Sequence, residues 1–145
     1  MRQYLDTNAL VKSLVVEDGT DLMSEVMRSG SFLSTCRVTY PEARSALATA
    51  RRASRIDDGQ HAVLRRALDE DHWPRLSVVE VTEELAQHAG DLAERHALRG
   101  FDAVHLAAAL AIAGDDMVMV TWDRRLAGAA RDEGLRVLPT EPSAV

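Results

Sequence analysis

Short runs rich in β-forming residues alternate with longer stretches of helical periodicity along the whole chain. The runs fall at 3–5, 32–35, 76–79, 117–120 and 136–138. Helical patterns occupy 8–16, 20–29, 41–54, 57–72, 83–97, 102–113 and 123–133. This alternation predicts an α/β fold, a parallel sheet of about five strands with helices on both faces, because parallel strands need long crossovers that helices supply. Met117-Val118-Met119-Val120 is apolar at every position, as a strand covered on both faces requires. The 102–113 segment is apolar nearly all round, which marks a central buried helix. Gly30, Gly100 and Gly134 read as helix stops, and the 41–54 and 57–72 helices are expected to hinge near 54–58.

No repeat, low-complexity tract or Pro/Gly/Ser linker divides the 145 residues, so 1–145 is expected to form one domain. With 46% hydrophobic residues the chain is too apolar for disorder. Its longest apolar run, 106–113, is far shorter than the ~20 residues of a membrane span, and Asp6 arrives too early for a signal peptide. The single Cys36 excludes an internal disulfide and a thiolate zinc site, and it points to a reducing compartment, the cytoplasm. A formal net charge of −6 argues against nonspecific coating of nucleic acid. It leaves room for a localised, metal-assisted encounter with a phosphodiester.

In open parallel sheets ligands bind beyond the carboxyl ends of the strands, and four acids are expected there. Asp6 directly follows the first strand, and Glu42 opens the helix after the second. Asp102 opens the buried helix, and Asp123 follows the fourth strand in Thr121-Trp122-Asp123. Asp102 differs in following a helix rather than a strand, yet right-handed crossovers allow all four to converge on one rim. Each acid also has a capping explanation. Glu42 lies three residues after Thr39, a capping-box spacing, with Pro41 in the first turn. Asp102 and Asp123 suit first helical turns, and Asp6 suits a turn before Asn8. Independent caps, however, have no reason to share one edge. Two carboxylates about 4 Å apart repel by roughly 4 kcal/mol at an effective dielectric near 20. Four stay ionised together only around a cation; otherwise some hold a proton at a raised pKa. Oxygen donors alone select Mg²⁺ or Mn²⁺ over zinc. Such an ion activates water and screens a phosphoryl group, which is metal-assisted phosphodiester hydrolysis without a Ser or Cys nucleophile.

The segments Leu5-Asp6-Thr7-Asn8-Ala9-Leu10-Val11, Tyr40-Pro41-Glu42-Ala43, Arg99-Gly100-Phe101-Asp102-Ala103-Val104-His105-Leu106-Ala107 and Thr121-Trp122-Asp123 resemble those of the PIN-domain nucleases. Within that family they are most similar to the VapC-type toxins of bacterial toxin–antitoxin modules. The resemblance spans nearly the whole chain, with the motifs in family order and spacing. It implies a PIN-like α/β/α sandwich and a Mg²⁺- or Mn²⁺-dependent endoribonuclease. On that carry-over Asp6 and Asp102 are the principal metal ligands, Glu42 completes the site or orients water, and Asp123 supports a second or looser metal. Asn8 holds Asp6 in place and the Thr121 hydroxyl steadies the cluster. Phe101 stands where the family often has Tyr. The resemblance further implies an RNA substrate, a homodimer, and a toxin–antitoxin hetero-oligomer with a cognate VapB-type antitoxin whose C-terminal segment crosses the acidic pocket.

His105, three residues after Asp102, roughly shares its helical face and reads as a packed or hydrogen-bonded core histidine before it reads as a pocket group. His61, His72, His88 and His96 show no ligand spacing. Arg44, Arg51 and Arg55 are placed on one side of the third helix, with Arg52 beside them, either as a solvated face or as a basic strip for RNA phosphates or an acidic partner. Arg65-Arg66 and Arg124-Arg125 are weaker versions of that strip. Asp115-Asp116 precede the fourth strand and belong to the opposite edge. Leu22, Met23, Val26 and Leu47 read as core, with a partner surface as the alternative. Among rival functions, a phosphoaspartate phosphatase requires a second Asp where this chain has Asn8. A receiver-like domain requires a late Lys, whereas the only Lys is Lys12. A catalytically silent PIN-like interaction domain predicts that one of the four acids is displaced. The chain lacks GxxxxGK and GxGxxG, so P-loop and dinucleotide readings fail.

Overall fold

Five strands, β1 (Arg2–Leu5), β2 (Phe32–Cys36), β3 (Ser77–Val79), β4 (Met117–Val120) and β5 (Arg136–Leu138), pair in parallel in the order β3-β2-β1-β4-β5. The computed structural model describes residues 1–29 and 32–140. The chain starts at the centre of the sheet, winds outward to β3, then returns to build β4 and β5 on the other side. The reversal at β1 is the topological switch point, where sheets of this kind leave a crevice at their carboxyl edge. The pairing Leu5↔Val120 brings the ends of β1 and β4 level. Asp6 and Thr121, the first residues beyond them, are therefore neighbours.

Among the described residues seven α-helices cover the two faces: α1 (Thr7–Leu14), α2 (Thr20–Arg28), α3 (Thr39–Arg52), α4 (Asp58–Ala67), α5 (Glu83–His96), α6 (Gly100–Ala111) and α7 (Arg124–Asp132). Alternation along the strands sorts the core. Tyr4 and Met119 pack with Leu92, Leu106 and Leu126 from α5, α6 and α7. Leu5 and Val120 pack with Leu10, Met23 and Leu47 from α1, α2 and α3. Met23, Val26 and Leu47 are thus core, and Leu22 packs partly buried against it. No helix among the described residues is long and apolar enough to cross a membrane.

Several boundaries differ from the sequence expectation for identifiable reasons. α3 begins two residues earlier, at Thr39, and stops at Arg52, where Ser54 turns the chain at φ 59°. The α-helix expected over 57–72 widens into a π turn at Leu68–His72 and closes in a 3₁₀ turn at Trp73–Arg75, since Pro74 lacks the N–H that would continue it. Gly100 does not stop α5; Ala97 does, in the left-handed region at φ 52°, and Gly100 starts α6. Gly134 is left-handed as expected for a stop, and Gly30 lies outside the described residues.

Gly19, at the start of α2, has φ +96°, and a Cβ there would sit 2.5 Å from the Trp122 ring and 2.9 Å from Lys12. Lys12 lies over that ring, 5.2 Å from its centroid, and pairs with Glu17 at 3.0 Å. Gly19→Ala is expected to cost roughly 2–4 kcal/mol, because left-handed strain adds to a clash with a fixed ring. Urea unfolding measures it; a loss below about 1 kcal/mol means that the ring yields freely.

Candidate active site

Asp6 caps α1. Its Oδ1 accepts from the Thr7 N–H at 2.8 Å, and its Oδ2 accepts from the Thr121 hydroxyl at 2.7 Å. Asp6 is 4% exposed, and its carboxylate is held at both oxygens. The Thr121 hydroxyl also accepts from the Asp123 N–H at 3.1 Å, so one side chain ties two of the acids together. Asp123 in turn caps α7, its Oδ1 accepting from the Leu126 N–H at 2.8 Å. Capping and clustering therefore coexist at both residues.

The capping box expected between Thr39 and Glu42 does not form. Thr39 is already inside α3 and its buried hydroxyl is 2.6 Å from that of Thr35. Glu42 turns instead to the Thr7 hydroxyl, which donates to Oε1 at 2.6 Å, and to His105, whose Nε2 donates to the same oxygen at 2.8 Å. Burial works against ionisation of Glu42, but these two hydrogen bonds outweigh it and hold the carboxyl below its usual range.

His105 is 1% exposed, as a core histidine should be, yet it touches two of the four acids. Nε2 lies 2.8 Å from Glu42 Oε1 and 3.4 Å from Asp6 Oδ1, while Nδ1 meets the Tyr4 hydroxyl at 2.8 Å. Burial disfavours a charged ring. The Asp6 carboxylate, with hydrogen bonds to Cys36 and Glu42, overcomes this and raises the imidazole well above its ordinary value. The ring thus sits between Asp6 and Glu42 in surroundings that favour its protonated form.

Asp102 lies in the first turn of α6 and is half-buried. Desolvation, then the Asp123 and Asp6 charges, push its pKa up to about 6, against a partial offset from His105 and Arg99. Glu42, Asp102 and Asp123 line one cleft of ≈ 650 Å³ with Arg99, Phe101 and the small residues of α5, and buried Asp6 adjoins them from behind. Sequence reasoning allowed two ways for four acids to share a rim, a cation or a raised pKa. The fold gives Asp102 the raised pKa and adds a support that the sequence did not show, His105 beside Asp6 and Glu42.

Other expectations shift. The Asn8 carboxamide does not hold Asp6; its oxygen accepts from the Trp122 N–H at 3.1 Å, because the first turn of α1 faces the exit of β4. It fixes the segment that carries Asp123. Arg44 and Arg51 share the exposed side of α3, but Arg55 leaves them, since the turn at Ser54 carries it toward Glu17, 3.8 Å away. Asp116 lies at the amino end of β4, 3.9 Å from the chain's amino group and on the edge away from the acids. Thr7 was missed; its position between Asp6 and Asn8, at the first residue of a capped helix, was the available signal.

The PIN domain family profile matches residues 3–132. The Ribonuclease VapC45 of Mycobacterium tuberculosis is 43% identical over 138 residues, 95% of either chain. Among solved structures, FitAcB from Neisseria gonorrhoeae aligns at a TM-score of 0.70 with 18% identity over 93% of this chain and 95% of the other. VapBC2 from Rickettsia felis, bound to a DNA fragment from its promoter, aligns at 0.62 with 15% identity over 94% and 97%. The chain belongs to the PIN-domain family. Within the family its place is with the VapC-type proteins.

Proposed function

We propose that residues 1–145 form a single nuclease domain that acts in the cytoplasm as a divalent-metal-dependent endoribonuclease, the toxin of a toxin–antitoxin pair. The observation that carries this reading is the cleft at the switch point: three carboxylates line it, a fourth adjoins it, and among the described residues its walls offer no Ser, Cys or Lys nucleophile.

The donor set fits a hard ion. Among the described residues no three His, Cys, Asp or Glu side chains are already gathered into an ion-sized cage. The acids instead ring a cleft in which the negative charge of Asp123 and Asp6 burdens Asp102, and a cation relieves that burden. All four donors are carboxylate oxygens, which favours Mg²⁺ or Mn²⁺. Asp6 and Asp102 would be the principal ligands, with Glu42 and Asp123 completing the set. When bound, such an ion supplies a water nucleophile of lowered pKa and stabilises charge on the phosphoryl oxygens.

The chain's own groups do the positioning. His105 and Thr7 bond the same Glu42 oxygen, Oε1, and leave Oε2 free to accept a hydrogen bond in the cleft. Thr121 and the Thr7 N–H keep Asp6 from swinging away. Arg99 is the cation among the lining residues and suits a phosphate oxygen. A VapB-type antitoxin, a homodimer and a toxin–antitoxin hetero-oligomer are the partners that family membership supports.

Purified, antitoxin-free protein is expected to cut cellular RNA with Mg²⁺ or Mn²⁺ and to stop on adding EDTA. Cleavage that persists in EDTA overturns the metal assignment. No cleavage with either ion, by protein whose circular dichroism is native, overturns the enzyme in favour of a silent interaction domain.

A further inference from the structure

We infer that the groove between α3 and α4 is a binding track for the phosphodiester backbone of single-stranded RNA, distinct from the acidic cleft; its physiological meaning rests on the ribonuclease reading above. Tyr40, Arg44, Ala48 and Arg51 recur at helical spacing and share one side of α3. Because the chain reverses at Ser54, α4 folds back and brings His61 and Arg65 to the same groove, ≈ 440 Å³ in volume. In a chain of net charge −6, three guanidinium groups from two helices thus converge on one concavity.

This differs from a solvated charged face in how the acid bonded to two of its residues, Asp69, is treated. Asp69 is already engaged, accepting from the Tyr40 hydroxyl at 2.5 Å and from Arg65 Nε at 3.2 Å. Among the described residues no carboxylate lies within ion-pair distance of Arg44 or Arg51. Arg44 acts on Asp69 only at longer range, through its charge. The Arg44 guanidinium stands 5.8 Å from the Tyr40 ring centroid, which sets an aromatic face beside a phosphate-binding group, the pairing that single-strand binders use.

RNA is favoured over an acidic polypeptide by what the groove lacks. A docking helix needs large aliphatic anchor points, yet the groove's apolar lining is Tyr40, Pro41 and Ala48, with Leu47 fully buried at its floor. Exposed apolar side chains gather in a different groove, around Val16 and Val63. Glu42 lies in the first turn of α3, and Arg51 is nine residues, about 13 Å, further along and half a turn round the helix, so the groove opens on the opposite side of α3 from the cleft. A strand held by both must cross that first turn.

The test measures binding of a fluorescent, unstructured 20-nucleotide RNA to the full chain in EDTA, by anisotropy across salt concentrations, beside cleavage assays with Mg²⁺. The variant Arg44→Gln/Arg51→Gln is expected to lower the slope of log affinity against log salt by about 1.4, two single-strand contacts at about 0.7 each, and affinity by roughly 20-fold at 0.1 M salt. Arg44→Lys/Arg51→Lys, which keeps both charges, is expected to retain the slope, and it controls for misfolding. An unchanged slope in the Gln variant overturns the track; if the wild type still cuts RNA, the ribonuclease reading stands without it. A Gln variant that binds RNA normally but loses binding to polyglutamate assigns the groove to an acidic protein partner and likewise overturns it. A wild type that binds RNA through these arginines yet cuts none keeps the track and sinks the ribonuclease.

Discussion

Asp102→Asn is expected to stabilise the metal-free protein by about 1–2 kcal/mol at pH 8, solvent screening of the half-buried carboxyl trimming the full conversion of its pKa shift, while lowering RNA cleavage on the order of 10³-fold. The stability gain follows from the carboxyl's pKa of about 6 against an ordinary 3.8. A group that holds its proton more tightly when folded favours the native state at low pH, and each pKa unit corresponds to about 1.4 kcal/mol. Folding is therefore penalised progressively as pH rises from about 4 to about 6, and the full cost persists above that. Asparagine keeps the shape and carries no charge for Asp123 and Asp6 to repel. The gain should shrink to a small fraction at pH 4 and vanish below about pH 3, where Asp102 is protonated in both states. Cleavage falls because the neutral amide cannot serve as an anionic ligand, and several kcal/mol of transition-state stabilisation go with it. Urea titrations at pH 4 and pH 8 with EDTA, beside turnover in Mg²⁺, decide the matter. If the variant is destabilised at pH 8, the acid's favourable place in the first turn of α6 dominates, and repulsion on the rim is slight.

His105→Phe should act in the opposite sense, costing about 3 kcal/mol and lowering the melting temperature by roughly 10 °C. Phenylalanine fills the space but leaves the Tyr4 hydroxyl without its partner and the buried Asp6 carboxylate beside no cation. Glu42 contributes less, since its side chain remains 31% exposed. The dependence on pH separates this from lost packing. The imidazole's raised pKa makes its contribution complete below its ordinary 6.5 and lost as pH climbs through the raised value. The lowered pKa of Glu42 makes its share complete above its ordinary 4.5 and lost as pH falls through the depressed value. The gap between wild type and variant should thus be widest between about pH 4.5 and 6.5 and narrow at alkaline pH. A gap that stays constant from pH 5 to pH 10 assigns the whole effect to packing.

Strand composition made the sheet legible before any coordinates, because a parallel sheet leaves a strong local signature. All-apolar Met117–Val120 is buried at every position, and the topology that follows from it put Asp6 and Asp123 on one edge. Ends of elements were harder to read where tertiary packing overrode propensity. Ala97 adopts a conformation usually left to glycine, and the Thr39 hydroxyl found Thr35 in place of the backbone. Links between acids and their supports were the least legible. The i, i+3 spacing told of His105 near Asp102, but the groups it bonds, Tyr4 and Glu42, come from 101 and 63 residues away. Arg55 was misplaced because one left-handed residue, Ser54, redirects everything after it.

Leu5 and Val120 stand side by side in adjacent strands, so the gap between Asp6 and Thr121 is metered by the spacing of the sheet, about 4.8 Å, and by no loop. Lengthening or rewriting the outer helices leaves that interval untouched. A lineage carrying this architecture is free to change what its periphery grips while inheriting the same chemistry at the centre.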